Sequence, residues 1–318
     1  MSKSIYVVLN GGLGNQLFGI AAALYLNEEI AVLGGISNAH LEQDKEIALK
    51  LFDNNPHIEY LKAPIYLRPK LKKIHNLFLI SGLRARNSIA VKCAPLLKAL
   101  VEKTCQIYLR KSFHVHVADN LGFSECRKSN TVLVGYYQSY KWMEKDEVRR
   151  TISSAIRAVS LPSELVHFES GTEIIIVHVR LGDYRQEKNF GILPKDYYSR
   201  AIAMALSENP TSIIWVFSDE PKIAREYIDE RFHSVTQWIS ESYELDAKAT
   251  LRAMTLGSTF VIANSTLSWW GAILSDKNTK KVYFPIPWFE NATMPRDLIP
   301  TDWTPIEAER IKSVDDVF

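Results

Sequence analysis

Ile174-Ile175-Ile176-Val177-His178-Val179-Arg180-Leu181-Gly182-Asp183-Tyr184 is the stretch on which the fold turns. Its first four residues form an unbroken apolar run bounded by Gly171 and, further on, Gly182, which reads as a strand buried on both faces of a parallel sheet. Ligands of open α/β sheets sit beyond the carboxyl ends of such strands, so His178, Arg180 and Asp183 are expected at the mouth of a cleft. His178 and Arg180 are two apart and share one strand face, while Val179 points the other way. A guanidinium at that position can grip a phosphate with two parallel hydrogen bonds, which points to a phosphate-bearing substrate. Buried charges are usually paired, so an internal salt bridge from Arg180 to Asp183 or Asp219 is the competing account.

Outward from this run the second half alternates regularly. Strands are expected at Ile174–Val177, Ile213–Phe217, Val235–Ile239, Thr259–Ala263 and Lys281–Phe284. Helices are expected at Pro194–Leu206, Pro221–Ile228, Leu245–Leu256 and Leu267–Leu274. Strands separated by helices of this length argue for parallel βαβ construction, hence an α/β fold. The first half opens the same way, with a strand at Ile5–Leu9, a glycine turn and an apolar helix from Gln16 to Asn27; Thr131–Val134 is a further strand and Glu144–Val159 has helical period. The Leu161-Pro162-Ser163 break sets the expected boundary, giving domains 1–162 and 163–318. The tail after Pro285, rich in Pro and Trp, is expected to cross back to the first domain.

Three strand ends carry polar clusters. Asn10-Gly11-Gly12-Leu13-Gly14-Asn15-Gln16 follows the first strand and opens a helix, where backbone amides and the positive helix end attract anions. It is an incomplete dinucleotide fingerprint, with Leu17 where the last glycine would fall and Ser37 and Asn38 where a ribose-binding acid would stand. Asn15 and Gln16, polar in an otherwise apolar helix, favour a ligand over a plain turn. Ser218-Asp219-Glu220 ends the next strand of the second half, and its carboxylate suits either a purine edge or a cap on the helix at Pro221. At Asn264-Ser265-Thr266-Leu267-Ser268-Trp269-Trp270, Asn264 or Ser265 can cap the helix and leave Ser268 and the first-turn amides for a diphosphate, or the segment is a capped helix with a Trp pair in the core.

With 318 residues, 47% hydrophobic content and a net charge of +2, the chain has ample core material and no charge excess for nucleic-acid binding. Cys93, Cys105 and Cys126 lack C-x-x-C spacing, and no export signal precedes them, so reduced thiols and a cytoplasmic location are expected. No D-x-D, Walker A, G-x-S-x-G or H-E-x-x-H motif occurs, and no spacing suits a metal. A diphosphate would then be neutralised by Arg180 and helix dipoles, with neither metal nor cofactor. Between Tyr60 and Val101 there is no acidic residue, while Lys62, Arg68, Lys70, Lys72, Lys73, Arg84, Arg86, Lys92 and Lys98 fall inside. That stretch is either a solvated helical face or a surface resting on anionic lipid at the inner membrane, near a lipid-linked acceptor.

Taken together, GGLGNQLF at Gly11 to Phe18, GYYQSYKW at Gly135 to Trp142, HVRLGDY at His178 to Tyr184, FSDEP at Phe217 to Pro221 and NSTLSWWGA at Asn264 to Ala272 resemble the bacterial alpha-1,2-fucosyltransferases of glycosyltransferase family 11. The resemblance spans nearly the whole chain. It implies a GT-B architecture, two Rossmann-like domains facing across a cleft, with the donor GDP-L-fucose held mainly by the second. It further implies inverting transfer of L-fucose to the 2-hydroxyl of a galactose-terminated glycan, in O-antigen or other surface polysaccharide synthesis. By position, Arg180 would bind the diphosphate with His178 beside it, Asp219 would contact guanine, and Asn264, Ser265 and Ser268 would lie on the phosphate side. Gly14, Asn15 and Gln16, from the first domain, would bind the donor, and Asn15 would reach across toward the reacting centre as a catalytic residue with Arg180 and Asp183. The sequence departs from the family pattern at Leu181, where a second arginine commonly follows, and at Gly19-Ile20, where a Gln-Tyr pair is frequent.

The acceptor hydroxyl needs a base within hydrogen-bond reach. Asp183, Glu187 and His40 are the candidates, and Asp183 serves equally to orient Arg180. A Rossmann-type oxidoreductase is the rival reading, weakened by the missing glycine and ribose acid; a sugar-nucleotide-binding protein without catalysis is another.

Overall fold

The computed structural model describes residues 5–34, 48–53, 55–62, 66, 68–80, 88–109, 113–117, 123–125, 128, 130–166, 171–185, 190–277 and 280–309. The chain forms two compact units: Met1–Ala155 with Ala292–Pro300, and Ile156–Asn291 with Thr301–Phe318.

The first unit contains β1 (Ile5–Val7), α1 (Leu13–Leu26), β2 (Ile30–Gly34), β3 (Ile58–Lys62), α2 (Arg68–Ile80), α3 (Ser88–Tyr108), β4 (His114–Val117), β5 (Thr131–Val134) and most of α4 (Asp146–Arg157). Its strands form one parallel sheet in the order β3-β2-β1-β5-β4, with Ile5 opposite both Ile30 and Thr131. Helix α1 is apolar nearly all round because it is buried, with Leu17, Phe18, Ile20 and Ala21 inaccessible to solvent. A Cβ at Gly19 would lie 3.2 Å from Val7 Cγ2, so the small residue lets α1 approach β1 closely. Helix α4 shows the opposite character: Val148, Ile152 and Ile156 make one buried stripe, and Asp146 and Glu147 at its start and Arg157 at its end complement the helix dipole. The returning segment is tied into this unit by Asp297, which accepts from Phe123 N at 2.8 Å and pairs with Lys141 Nζ at 2.9 Å.

The second unit contains α5 (Ser163–Val166), β6 (Ile174–Val179), α6 (Lys195–Glu208), β7 (Ile213–Ser218), α7 (Pro221–Ala224), β8 (Thr236–Trp238), α8 (Ile239–Ser242), α9 (Ala247–Met254), β9 (Thr259–Val261), α10 (Thr266–Leu274), β10 (Lys281–Ile286) and β11 (Thr304–Glu307). The sheet is parallel, in the order β11-β10-β9-β6-β7-β8. All six residues of β6 are buried, as a central strand covered by helices on both faces requires. The Tyr197 hydroxyl on α6 donates to Ile262 O at 2.6 Å and so locks the helix onto the sheet.

The α/β class read from the alternation is the class observed. The differences have local causes. The expected helix 221–228 is the short α7 followed by a 3₁₀ turn at Arg225–Tyr227. The expected helix 245–256 begins at Ala247 because Asp246 caps it, accepting from Lys248 N at 3.0 Å and Ala249 N at 2.8 Å. Strand β2 ends at Gly34, close to the second strand end that the ribose argument sets near Ile36, whereas β3, β4 and β11, all at sheet edges, answer to no expected strand.

Chain order reverses at one point in each sheet. In the second unit the chain runs outward from β6 through β7 to β8, then returns to β9 and runs outward on the other side. The crevice beyond the carboxyl ends of β6 and β9 is therefore a topological switch point, where open α/β sheets bind ligands. In the first unit the switch point lies between β1 and β5.

Candidate active site

Arg180 is the first residue beyond β6, and its guanidinium pairs with Asp183 Oδ1 at 2.9 Å and Asp219 Oδ2 at 3.3 Å. The internal pairing weighed from the sequence is thus present, with both carboxylates. The Arg180 side chain nonetheless keeps 29% of its surface exposed, and five N–H donors leave part of the fork for another anion. Burial disfavours its charge, but Asp219 and then Asp183 outweigh that and raise its pKa.

The two carboxylates are held very differently. Asp219 accepts from Leu181 N at 3.0 Å on one oxygen and from Gly182 N at 2.9 Å on the other. Gly182 has no room for a side chain, since a Cβ there would meet Asp219 Oδ2 at 2.6 Å. Asp183 is 59% exposed and sits in the turn Asp183–Arg185. Exposed ion pairs contribute ~0–1 kcal/mol, whereas a bond from an amide to a carboxylate is worth about 1.5–3 kcal/mol, and of the two that hold Asp219 the Leu181 one is partly buried and the Gly182 one exposed. Asp219 is accordingly a fixed strut beneath the 180–182 loop, and Asp183 an exchangeable partner. Neither acid at the end of β7 caps α7: Glu220 makes no side-chain capping bond there and is gripped by both guanidinium nitrogens of Arg185.

His178 is buried, and burial together with the Arg180 charge depresses its pKa to about 4, so it is neutral at pH 7. Its Nδ1 has no hydrogen-bond partner among the described residues, which costs ~1–3 kcal/mol for a buried polar atom. Tyr184, whose role no sequence pattern announces, joins the two sides of the switch point. Its hydroxyl donates to Asn264 O at 2.9 Å, its ring stacks on Phe190 at 4.6 Å, and the Arg180 guanidinium lies 5.5 Å from the ring centroid. Asn264 Nδ2 donates to Phe190 O at 3.1 Å, and Ser265 caps α10 by accepting from Leu267 N at 3.3 Å. Ser268 is buried with its hydroxyl donated to Ser265 O, and Trp269 and Trp270 are both in the core. Leu181, which stands where the family pattern commonly has a second arginine, is fully buried in the core cluster that also holds Val179 and Tyr197, Tyr198 and Ala201 of α6.

Gly14, Asn15 and Gln16 belong to the first unit, at its own switch point. Gly11 turns the chain at φ +72°, and Gly12 precedes α1 without a side-chain cap. Gln16 is committed internally: Nε2 donates to Gly11 O at 2.8 Å and Oε1 accepts from Ala48 N at 3.1 Å. Asn15 Oδ1 accepts from Gln138 Nε2 at 3.0 Å. Gln138 follows Tyr137, a non-glycine residue at φ +51° whose hydroxyl donates to His116 O at 2.6 Å and whose carbonyl accepts from Trp142 Nε1 at 2.7 Å. Gln138 thus faces Asn15 from a backbone conformation held from both sides, a feature recognisable in sequence only as polar residues in an aromatic run. His40 and Glu187 lie outside the described residues, and among the described residues no group of three or more His, Cys, Asp or Glu is placed to hold a metal ion.

Residues 4–307 match the profile of Glycosyl transferase family 11. An Alpha-1,2-colitosyltransferase of Escherichia coli is 28% identical over 189 residues, covering 57% of this chain and 64% of that protein. The O-antigen biosynthesis glycosyltransferase WbnK of Escherichia coli is 34% identical over 119 residues, 36% of this chain and 38% of its own length. The matches thus span less than two thirds of either relative. Among solved structures, E. coli ADP-heptose lps heptosyltransferase II aligns over 95% of this chain and 90% of its own at 11% identity and TM-score 0.45. POFUT1 in complex with GDP-fucose aligns over 89% of this chain and 98% of its own at 11% identity and TM-score 0.41. Likenesses this low have no bearing on function.

Proposed function

The chain belongs to glycosyl transferase family 11, and from that premise we propose that it moves L-fucose from GDP-β-L-fucose to the 2-hydroxyl of a terminal galactose, with inversion, in the building of an O-antigen or other surface polysaccharide. The observation that supports this most directly is Arg180, beyond the carboxyl end of β6 at the switch point, paired with Asp219 and Asp183 yet still partly exposed. The names of the two E. coli relatives, one forming an alpha-1,2 linkage and the other acting in O-antigen biosynthesis, agree with it.

In this reading the donor diphosphate displaces Asp183 from Arg180, which costs little because that pair is exposed, while Asp219 keeps the guanidinium aimed. Sugar transfer passes through an oxocarbenium-like state in which the departing diphosphate gains negative charge, so a fixed guanidinium stabilises the transition state more than the ground state. No metal is needed for that neutralisation, and no cofactor takes part. His178, neutral at pH 7, is available to donate or accept one hydrogen bond at Nδ1. Asp183, once displaced, is the candidate among the described residues for taking the acceptor proton. The amide-bound Asp219 acts as a strut for Arg180 in this scheme, in place of the guanine contact that the family resemblance implies.

The test is incubation with GDP-fucose and a panel of β-galactosides, lactose and N-acetyllactosamine included, with EDTA present, followed by linkage analysis. An α-1,2-fucosylated product that is abolished by Arg180→Ala supports the proposal. Because a relative is a colitosyltransferase, an activated colitosyl donor runs in parallel. Transfer of colitose alone would replace fucose as the donor sugar, and loss of all transfer in EDTA would remove the metal-free scheme.

A further inference from the structure

The acid-free stretch 60–101 carries nine Lys and Arg in a chain whose net charge is only +2, so the remainder of the molecule is net acidic. The structure adds a second property to that segment. Helix α3 has two opposite described faces. Val101, Cys105 and Leu109 at its inner side are buried in the core of the first unit, beside Leu71 and Ile74 of α2. On the outer side Leu96 is 76% exposed, Leu100 61% and Ile107 61%. At 100° per residue these three and the exposed Lys103 fall within an arc of about 60°, a straight apolar stripe on the solvent side of the helix. The same arrangement of faces holds on α2, where Leu71 and Ile74 are buried and Lys72 and Lys73 point outward. The two helices are neighbours, with Lys70 Nζ lying 5.5 Å from the Tyr108 ring centroid.

Single exposed apolar residues need no explanation, but aligned ones flanked by lysines do. We propose that the outer face of α3, with Leu96, Leu100 and Ile107 as its apolar stripe and Lys103 among them, docks on an anionic lipid bilayer together with the exposed Lys72 and Lys73 of the neighbouring α2. The chemistry is that of an interfacial helix: apolar side chains enter the headgroup–acyl boundary while ammonium groups meet lipid phosphates. No described helix is long and apolar enough to cross a membrane, so the contact is one of surface adsorption. The uneven charge of the chain supplies orientation as well as affinity, since an acidic remainder is repelled by the surface that attracts this face. A glycan acceptor carried on lipid would be met at such a surface, but the docking face is independent of which donor the enzyme uses.

The experiment is co-sedimentation of the full chain with vesicles of 70:30 phosphatidylcholine:phosphatidylglycerol and with pure phosphatidylcholine, in low and high salt. Each juxtamembrane lysine is worth about fivefold in affinity. The expected result is binding to the anionic vesicles in low salt that weakens at least tenfold on adding salt, with K72E/K73E, and separately with L100E/I107E. All substituted positions are exposed, and unchanged thermal melts will show that the fold is kept; L100Q/I107Q replaces the glutamate pair if the melts shift. Failure of the wild-type chain to bind anionic vesicles in low salt would overturn the proposal, as would binding that L100E/I107E leaves intact. A dimer in sedimentation equilibrium that the same substitutions dissociate would overturn it too, because the stripe would then be covered by a second copy.

Discussion

Replacing Asp219 by asparagine removes one charge and almost no volume, and it separates a strut from a base reader. Asp219 now accepts two backbone amides, Leu181 N at 3.0 Å and Gly182 N at 2.9 Å, and pairs with Arg180 at 3.3 Å. Bonds to a charged acceptor are worth about 1.5–3 kcal/mol each, and neutral ones about 1 kcal/mol. The asparagine carbonyl keeps one amide at neutral strength, while its NH₂ confronts the other N–H and leaves it without an acceptor. The Gly182 bond is exposed, which holds it to the low end of that range, so with a partly exposed ion pair of ~1 kcal/mol or less the loop loses roughly 2–4 kcal/mol of restraint. If that restraint aims Arg180 in the transition state, kcat/KM for GDP-fucose falls about 30- to 1000-fold, at ~1.4 kcal/mol per tenfold. The assay is steady-state transfer together with product inhibition by GDP and UDP. Both diphosphates should weaken in parallel, leaving the preference for GDP over UDP as it is in the wild type. If GDP inhibition alone collapsed to the level of UDP, Asp219 would be reading guanine and the strut argument would fail; an Asp219→Asn enzyme with normal kcat/KM would refute it as well.

Four further outcomes are expected. Asp183→Asn should leave GDP binding unchanged or tighter by isothermal titration, because a competing carboxylate is gone, while kcat falls at least tenfold if Asp183 takes the acceptor proton; equal loss in binding and kcat would contradict the exchangeable-partner argument. Gly182→Ala must push a Cβ against Asp219 Oδ2 and should reproduce part of the Asp219→Asn loss, which parallel kinetics will show. Gln16→Leu removes a buried side chain bonded to Gly11 O and Ala48 N and should lower unfolding free energy by about 1–3 kcal/mol in urea titrations. His178, with a pKa of about 4 in the folded chain against ~6.5 unfolded, binds its proton more weakly when folded. Its contribution to stability is therefore complete above pH ~6.5 and lost as pH falls toward 4, at up to ~1.4 kcal/mol per pH unit. Urea titrations of the wild type and His178→Asn between pH 7.5 and 5 should differ in slope by up to one proton.

The centre of each sheet was legible because central parallel strands are covered on both faces and must be apolar throughout. Ile174–Val177 and Thr131–Val134 announced themselves in this way, and β6 and β5 are their buried counterparts. Edge strands answer to a weaker rule. In β3, Ile58 is buried while Glu59 and Tyr60 are exposed, and β11 carries Pro305, so no periodicity set them apart from loops. Asn15, Arg180, Asp219 and Asn264 could all be placed at strand ends from spacing alone, since a residue's position after a strand is a property of the chain.

What each of those side chains does at its strand end was settled only by folding. Gln16 and Asn15 are adjacent in sequence, yet one is sealed into the first unit and the other meets Gln138, because helical rotation turns neighbouring residues to different surroundings. Asp183 and Asp219 are the same residue type at similar distances from Arg180, and nothing in their spacing along the chain ranks them. The pairing of β6 with β7 brings Asp219 under the Leu181 and Gly182 amides, whereas Asp183 is left in water. The sequence by itself determined the α/β class and the strand ends where chemistry would gather, through patterns of burial that are local in the chain. Only the tertiary structure decided which carboxylate is fixed and which is free, because that depends on amides contributed by a different strand.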